Sequence, residues 1–218
     1  MYRSAPSARS GSPRPSRAVT ARSTVSSTQL IAPTVDSGPT SPIWHHALMP
    51  KLTATELDEF LDEREHLARI GTIDDDGFPR VLPLWFVREG TTLLFTPRSP
   101  AVIWKNIVRD PKVGISIDES DQPYRKVTVQ GVVDVRHPPG EDDAWRDLYR
   151  TIAKRYTADW FADDYVDGTD DQPRALCAVD LAAPTTRVST WRMPVSGEDR
   201  RGVWAQRYYL PGTKWSEA

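Results

Sequence analysis

The fold is decided by a stretch that reads Arg80-Val81-Leu82-Pro83-Leu84-Trp85-Phe86, turns at Arg88-Glu89-Gly90, and continues as Leu93-Leu94-Phe95-Thr96-Pro97-Arg98-Ser99-Pro100 to Trp104-Lys105-Asn106. Two apolar runs that flank a glycine turn are typical of paired β-strands. The second run leads into a helix, because Ser99 before Pro100 is a helix-start signal. The stretch therefore predicts strand, turn, strand and helix in that order.

The start of this predicted helix favours an anion. Free backbone amides there add to the helix dipole, and Arg98 and Lys105 bring positive charge close to them. Arg80 reaches the same place if its strand pairs beside the strand that ends at Thr96. The segment thus predicts a phosphate cradle that fits a phosphomonoester. The same residues leave another interpretation open, in which the three cations are surface charges and Ser99-Pro100 is only a helix cap.

Composition excludes several classes of protein. A chain of 218 residues with 39% hydrophobic content can bury one good core, so a single folded domain is expected. A formal net charge of -2 argues against a general nucleic-acid binder, and no apolar run approaches the ~20 residues of a membrane helix. The single cysteine, Cys177, is compatible with a reducing cytoplasm. We therefore expect a cytoplasmic protein. We also expect no metal site, because the histidines are too isolated to form one.

The chain divides into three expected parts. Residues 1–48 contain five arginines and many serines and prolines without a periodic apolar face, which predicts a disordered tail. Residues 49–195 form the folded domain. Residues 196–218 hold four aromatic residues and are expected to pack as a tail on that domain or on a partner copy.

Most of the folded part predicts strands. Thr53 and Glu56 form a capping-box pattern that starts a short helix, and Asp74 to Gly77 predicts a hairpin turn between the runs Leu67–Ile73 and Arg80–Phe86. The helix after Ser99 is expected from about Pro100 to Arg109. Alternating residues predict strands over 113–117 and 127–135, and Gly131 inside the second predicts a bulge or a close backbone approach.

The C-terminal half predicts one long helix and two more strands. The helix is expected from about Glu141 to Tyr156, a polar loop over 163–171, and strands over 174–181 and 186–193. Five or more strands joined by tight turns imply an antiparallel sheet that must close or be covered. A small barrel with a few helices outside is the expected solution.

Four separate motifs resemble the pyridoxamine-phosphate oxidase-like split β-barrel superfamily, and within it the branch that uses a deazaflavin coenzyme. They are Leu67–Ile73, Asp76–Phe86, Lys105–Val113 and Tyr124–Gly131. The resemblance covers about Lys51 to Trp191. It implies a mainly β fold with flanking helices, the FMN-binding split β-barrel, and a homodimer that holds its cofactor in a groove between the subunits.

The resemblance also implies a cofactor site. Arg80 and Lys105 match positions that grip the cofactor phosphate, the backbone from Val81 to Pro83 passes along the ring, and Lys126 approaches it from the neighbouring subunit. Trp85 and Trp104 replace a lysine and an arginine of true pyridoxamine-phosphate oxidases, which makes that activity less favoured. The full predicted cofactor-binding set is Arg80, Val81, Leu82, Pro83, Trp85, Phe95, Thr96, Arg98, Ser99, Trp104, Lys105 and Lys126.

The function implied by the resemblance is a flavin- or deazaflavin-dependent oxidoreductase. Reduced F420, the favoured coenzyme, or FMN would exchange a hydride with a small electron-poor acceptor such as an enone or a quinone. The sequence does not indicate a catalytic side chain. Tyr124, Arg125 and water remain alternative proton donors. Three alternatives remain: a non-catalytic carrier of flavin, deazaflavin or haem, a pyridoxamine 5'-phosphate oxidase-like FMN enzyme, and a protein whose arginine-rich tail binds an acidic partner.

Overall fold

The structure, a computed structural model, describes residues 50–198 and residue 212. The predicted tail over 1–48 and most of the segment 196–218 lie outside these residues. The described elements are α1 (Ala54–Asp62), β1 (Ala68–Ile73), β2 (Pro79–Leu84), β3 (Phe86–Glu89), β4 (Thr92–Phe95), α2 (Val102–Arg109), β5 (Lys112–Asp118), β6 (Arg125–Val132), β7 (Asp134–His137), α3 (Arg146–Tyr156), α4 (Asp159–Asp167), β8 (Leu176–Asp180) and β9 (Arg187–Arg192). Among them, no helix has the length and apolar character needed to cross a membrane.

The strands form two antiparallel sheets. One has the order β2-β1-β5-β6-β9 and the other the order β3-β4-β8-β7. Buried side chains from both sheets, from α1 and from α2 form one main core, and α3 and α4 enclose a second, smaller cluster against the four-stranded sheet. The mainly β architecture with flanking helices is therefore confirmed, while the described strands show two separate sheets and no closed barrel.

The local turn signals were predicted correctly. The capping box is present, since the amide of Thr53 donates to Glu56 and the amide of Glu56 donates to Thr53. The hairpin between β1 and β2 is also present, with Gly77 at a φ of 87°, a conformation that favours glycine. At Gly131 the close neighbour is a side chain rather than another backbone, because a Cβ atom there would lie 2.8 Å from the Val179 side chain.

The run Arg80–Phe86 is not one strand, as the sequence predicted, but two. β2 ends at Leu84 in the five-stranded sheet, and β3 begins at Phe86 in the four-stranded sheet. The chain therefore crosses from one sheet to the other at Trp85. The predicted long strand over 127–135 breaks in the same way at Val133, between β6 and β7.

Two further predictions were wrong. The helix after β4 begins at Val102, and its N-cap is Ala101, which makes no side-chain capping bond. Ser99 lies two residues before this N-cap, and its backbone instead extends the strand pairing past β4: the Ser99 amide donates to the Pro173 carbonyl at 2.9 Å, and the Ala175 amide donates to the Pro97 carbonyl at 3.0 Å. Of the predicted polar loop, Asp163, Asp164 and Asp167 lie in helix α4, whose Ala162 and Val166 are fully buried, whereas residues 168–171 form a turn as predicted.

Candidate functional site

A cavity of about 290 Å³ lies where the chain crosses between the two sheets. Its walls come from the end of β2, the segment after β4, the start of α2, helices α3 and α4, and Arg174, which lies two residues before β8. The lining residues are Leu82, Pro83, Leu84, Trp85, Thr96, Pro97, Arg98, Ala101, Ile103, Tyr149, Tyr165 and Arg174. The structure thus brings together five of the twelve predicted cofactor residues: Leu82, Pro83, Trp85, Thr96 and Arg98.

Aromatic packing fixes Trp85 at the crossing point. Its ring stacks on Tyr156 at a centroid distance of 5.3 Å and meets the edge of Tyr165 at 5.7 Å. Tyr156 is itself held, because its hydroxyl accepts from the Phe86 amide and donates to the His66 carbonyl. The indole therefore has a defined position, which a side chain that shields a bound ring requires.

Arg174 brings a buried positive charge to the cavity. Its side chain is only 7% exposed. The guanidinium donates to the Thr96 carbonyl at 3.2 Å and to the Tyr165 hydroxyl at 3.0 Å, and it lies 4.6 Å from the centre of the Tyr149 ring. Its Nε atom has no hydrogen-bond partner among the described residues.

Arg98 brings a second charge to the same place. Its Nη2 atom donates to the Tyr165 hydroxyl at 3.0 Å, so the two guanidinium groups share one neutral oxygen. In the described part of the chain neither arginine forms a salt bridge. Asp142 approaches only the backbone amide of Arg174, at 2.8 Å.

These neighbours change the pKa of the Tyr165 hydroxyl. Burial acts to raise the pKa of its hydroxyl, but the adjacent Tyr149 hydroxyl, the hydrogen bond from Arg98 and the charge of Arg174 together lower it below its ordinary value. Burial raises the pKa of Tyr149, whose hydroxyl has no hydrogen-bond partner in the described residues. The cavity therefore presents hydrogen-bond donors and positive charge to whatever enters it.

Arg80 is not in this cavity. Its guanidinium binds the Asp74 carboxylate, with nitrogen to oxygen distances of 2.7 to 2.9 Å. Asp74 also accepts from buried Asn106 on α2 at 2.7 Å, and the hydrogen bonds from Arg80 and Asn106 lower the pKa of Asp74. The predicted phosphate ligand is thus already neutralised by a carboxylate and helps to join the β1–β2 turn to α2.

The remaining predicted residues lie elsewhere. Lys105 is exposed on α2, and Trp104 packs half-buried against the main core. Phe95 is 1% exposed within that core, and Ser99 is occupied by strand pairing. The Lys126 ammonium group on β6 lies 5.6 Å from the Trp191 ring centre.

Val81 faces a second, wider groove of about 640 Å³ on the outer face of the five-stranded sheet. Gly71 and Gly114 pair in the middle of this face, so the surface between the surrounding side chains is shallow. Val81 itself is 60% exposed. An exposed valine beside paired glycines leaves room for close approach of another surface.

Arg125 cannot serve as the proton donor that the sequence left open. It donates to Glu63 through two hydrogen bonds of 2.7 Å and to Glu119 through hydrogen bonds of 2.8 and 2.7 Å. These bonds raise the pKa of Arg125 further above its already high value. Glu63, Glu119 and His66 also lie close enough together to resemble a metal site, but both carboxylates are occupied by Arg125.

Sequence reasoning did not identify Arg174, Tyr165 or Tyr149 as site residues. The only local signal was an arginine that directly precedes the apolar run Ala175–Val179. Such an arginine is common at strand ends. Its partners Thr96 and Arg98 lie far away in the sequence, so no local pattern connects them.

A sequence model of the pyridoxamine 5'-phosphate oxidase family matches residues 53–185. Among solved structures, an F420 reductase is 28% identical with a TM-score of 0.42, over 56% of this chain and 90% of that one. A conserved hypothetical protein from Mycobacterium tuberculosis is 19% identical with a TM-score of 0.51, over 70% and 95% of the two chains. A haem storage protein from Vibrio cholerae is 19% identical with a TM-score of 0.48, over 62% and 94%. Comparison with curated proteins gives no match.

Proposed function

The chain belongs to the pyridoxamine 5'-phosphate oxidase family, and from this membership we propose that it is a flavin- or deazaflavin-dependent oxidoreductase. The observation that carries the proposal is the cavity beside β2, where an apolar wall formed by Leu82 and Pro83 adjoins two arginines that form no salt bridge with any described carboxylate. A planar redox ring fits such a wall, and an anionic coenzyme arm fits the arginines.

The chain's own residues would bind and orient the coenzyme. Leu82 and Pro83 would contact the ring, Trp85 would help to exclude water from it, and Arg98 would neutralise negative charge on the coenzyme. When bound, the coenzyme supplies the hydride chemistry, and the acceptor is a small electron-poor molecule such as an enone or a quinone. The lowered pKa of Tyr165 makes its hydroxyl a better hydrogen-bond donor to an oxygen that gains negative charge.

F420 is the favoured coenzyme and FMN the alternative. The pattern Pro83-Leu84-Trp85 resembles the deazaflavin branch, and Trp85 stands where pyridoxamine-phosphate oxidases carry a lysine. The structure adds that Trp85 is locked by stacking on Tyr156. A rigid indole at the cavity wall is compatible with a ring that binds by shape and stacking rather than by a lysine charge.

We also propose that the protein is a homodimer with the coenzyme between its subunits. A cavity of about 290 Å³ lies at the lower end of the size range of cofactor pockets, so a second subunit would complete it. The shallow outer face around Gly71, Gly114 and exposed Val81 is the surface on which a second copy would pack. Lys126 would approach the ring from that copy.

The test is titration of the purified protein with F420 and with FMN, followed by tryptophan fluorescence. We expect F420 to quench the emission at lower concentration than FMN. Trp85→Phe should lose most of the quenching, whereas Trp160→Phe, which changes an indole that is 70% exposed on α4, should retain it. Absence of binding by both coenzymes would contradict the proposal.

Turnover separates the enzyme from a carrier. Protein loaded with reduced F420 should oxidise it when enones or quinones are added. Binding without oxidation across the panel would support the carrier function instead. A chain that starts at Met49 should behave like the full chain, because we propose that residues 1–48 are dispensable for coenzyme binding.

Two substitutions test whether Arg80 and Lys105, or the arginines of the cavity, bind the coenzyme phosphate. If Arg80 and Lys105 grip the coenzyme phosphate, Arg80→Ala and Lys105→Ala each weaken F420 affinity by about 1.5 to 3 kcal/mol, the contribution of a hydrogen bond to a charged group. Unchanged affinity in both variants would leave the arginines of the cavity as the phosphate ligands.

A further inference from the structure

Arg174 is a buried charge without a counter-charge. Its partners are the Thr96 carbonyl, the Tyr165 hydroxyl and the face of the Tyr149 ring, all of which are neutral. Buried charged groups in proteins are normally paired, because loss of hydration is costly. No carboxylate in the described residues forms a salt bridge with this guanidinium, and Asp142 accepts from the backbone amide of Arg174 instead.

Arg98 increases the imbalance. Two guanidinium groups converge on the single oxygen of Tyr165, and each donates to it at 3.0 Å. Two like charges that share one neutral acceptor repel each other, and this repulsion persists until an anion lies near both. The arrangement lies on a cavity wall and not inside closed packing, so an anion has a route to it.

An unpaired hydrogen-bond donor beside the two arginines also favours an anion at this place. Tyr165 accepts from both arginines, and the Tyr149 hydroxyl lies beside it. The Nε–H group of Arg174 has no partner among the described residues. A buried donor therefore remains beside the cavity without a described acceptor.

From this excess of charge and donors we infer that Arg98, Arg174 and Tyr165 form a binding subsite for one oxyanion, a carboxylate or a phosphate. Arginine presents paired N–H groups that match the two oxygens of such a group, and the Tyr165 hydroxyl supplies a further donor. The subsite deepens the proposed function when the oxyanion is the phosphate of the coenzyme. It goes beyond that function when the oxyanion belongs to the acceptor molecule.

The first experiment uses no coenzyme, so its failure is distinct from failure of the proposed function. Inorganic phosphate and acetate, with chloride as the reference anion, are titrated into wild-type protein and variants by calorimetry. Arg174→Met, Arg98→Met and Tyr165→Phe should each weaken phosphate binding by about tenfold or more, as expected for lost charge-assisted hydrogen bonds. Arg136→Met is the matched control, because Arg136 is exposed and pairs with Asp134 at 3.0 Å.

The second experiment identifies the source of the oxyanion. If it is the coenzyme phosphate, Arg98→Met and Arg174→Met weaken FMN binding by about tenfold but leave riboflavin binding unchanged. If it is the acceptor, the same variants leave FMN affinity unchanged and raise the KM of a carboxylate-bearing enone, with little effect on its methyl ester. Either result supports the subsite.

Two results would overturn the inference. One is wild-type protein that binds neither phosphate nor acetate more tightly than chloride. The other is phosphate affinity in Arg98→Met and Tyr165→Phe that equals the wild-type value. Arg98→Met and Tyr165→Phe both retain buried Arg174, so they still test the inference if Arg174→Met does not fold.

Discussion

Arg125 and Arg174 have similar aromatic surroundings but opposite electrostatic ones. Each guanidinium lies over a ring, Arg125 at 4.9 Å from Phe60 and Arg174 at 4.6 Å from Tyr149. Arg125 donates four short hydrogen bonds to two carboxylates, whereas every described partner of the Arg174 guanidinium is neutral. The charge of Arg125 is therefore compensated within the protein, whereas no described residue compensates the charge of Arg174.

This difference separates a stabilising arginine from a binding arginine. Removal of Arg125 would leave two carboxylates without their partner, and such uncompensated groups destabilise the folded state. Removal of Arg174 would leave only neutral groups behind. The same residue type therefore predicts opposite effects on stability and on ligand binding at the two sites.

The largest expected effect is on stability at the Arg125 site. Arg125→Met should lower the free energy of unfolding by about 2 kcal/mol, less than for a fully buried pair because Glu63 is partly exposed. Urea denaturation at pH 7 measures it. Arg69→Met, which removes an exposed pair with Asp118, should change the value by less than about 0.5 kcal/mol. Equal losses of stability in Arg125→Met and Arg69→Met would contradict the stabilising role of Arg125.

The next effect is on ligand-linked stability at the Arg174 site. Phosphate at ten times its dissociation constant should raise the free energy of unfolding of wild-type protein by about 1.4 kcal/mol, because the anion binds the folded state alone. Arg174→Met should show much less of this gain at the same concentration. Equal gains in wild type and Arg174→Met would place the anion elsewhere.

A smaller effect is expected for Arg174 without any anion. Arg174→Met should leave the free energy of unfolding unchanged or raise it by up to about 1 kcal/mol, since it removes a buried charge that lacks a counter-charge. Denaturation in a buffer free of phosphate and carboxylate measures this change. A loss as large as that of Arg125→Met would show that Arg174 stabilises the fold as Arg125 does.

The smallest expected effect is on pH dependence. The hydrogen bond from Arg125 lowers the folded-state pKa of Glu63 below the model-compound value of 4.5. As the pH falls from 4.5 through that lowered pKa, the unfolded chain binds a proton that the folded chain does not, so this stability is present above pH 4.5 and is lost on acidification. Arg125→Met should flatten this part of the stability profile, whereas Arg174→Met should not.

The sequence predicted the features that depend on neighbours along the chain. The capping box of Thr53 and Glu56 and the hairpin turn at Gly77 were predicted correctly, because a few adjacent residues determine each of them. Most strands were also predicted from alternating apolar residues. An example is β5, where Val113, Ile115 and Ile117 alternate in the sequence and are buried in the structure.

Features that depend on distant pairing were missed. Ser99 had the local pattern of a helix cap, yet pairing with Pro173 takes its amide. The run 80–86 breaks at Trp85 because its two halves belong to different sheets, which no local pattern shows. Thr96 and Arg174 are 78 positions apart, so the cavity exists only in the folded chain. The aspartate-rich segment in α4 was interpreted as a loop because its buried face is only Ala162 and Val166.

The most direct test of the whole account is a crystal structure of the protein with F420 bound. We predict that the deazaflavin ring lies against Leu82 and Pro83, with Trp85 at its edge. A ring bound on any surface that does not include the β2 wall of this cavity would contradict the account.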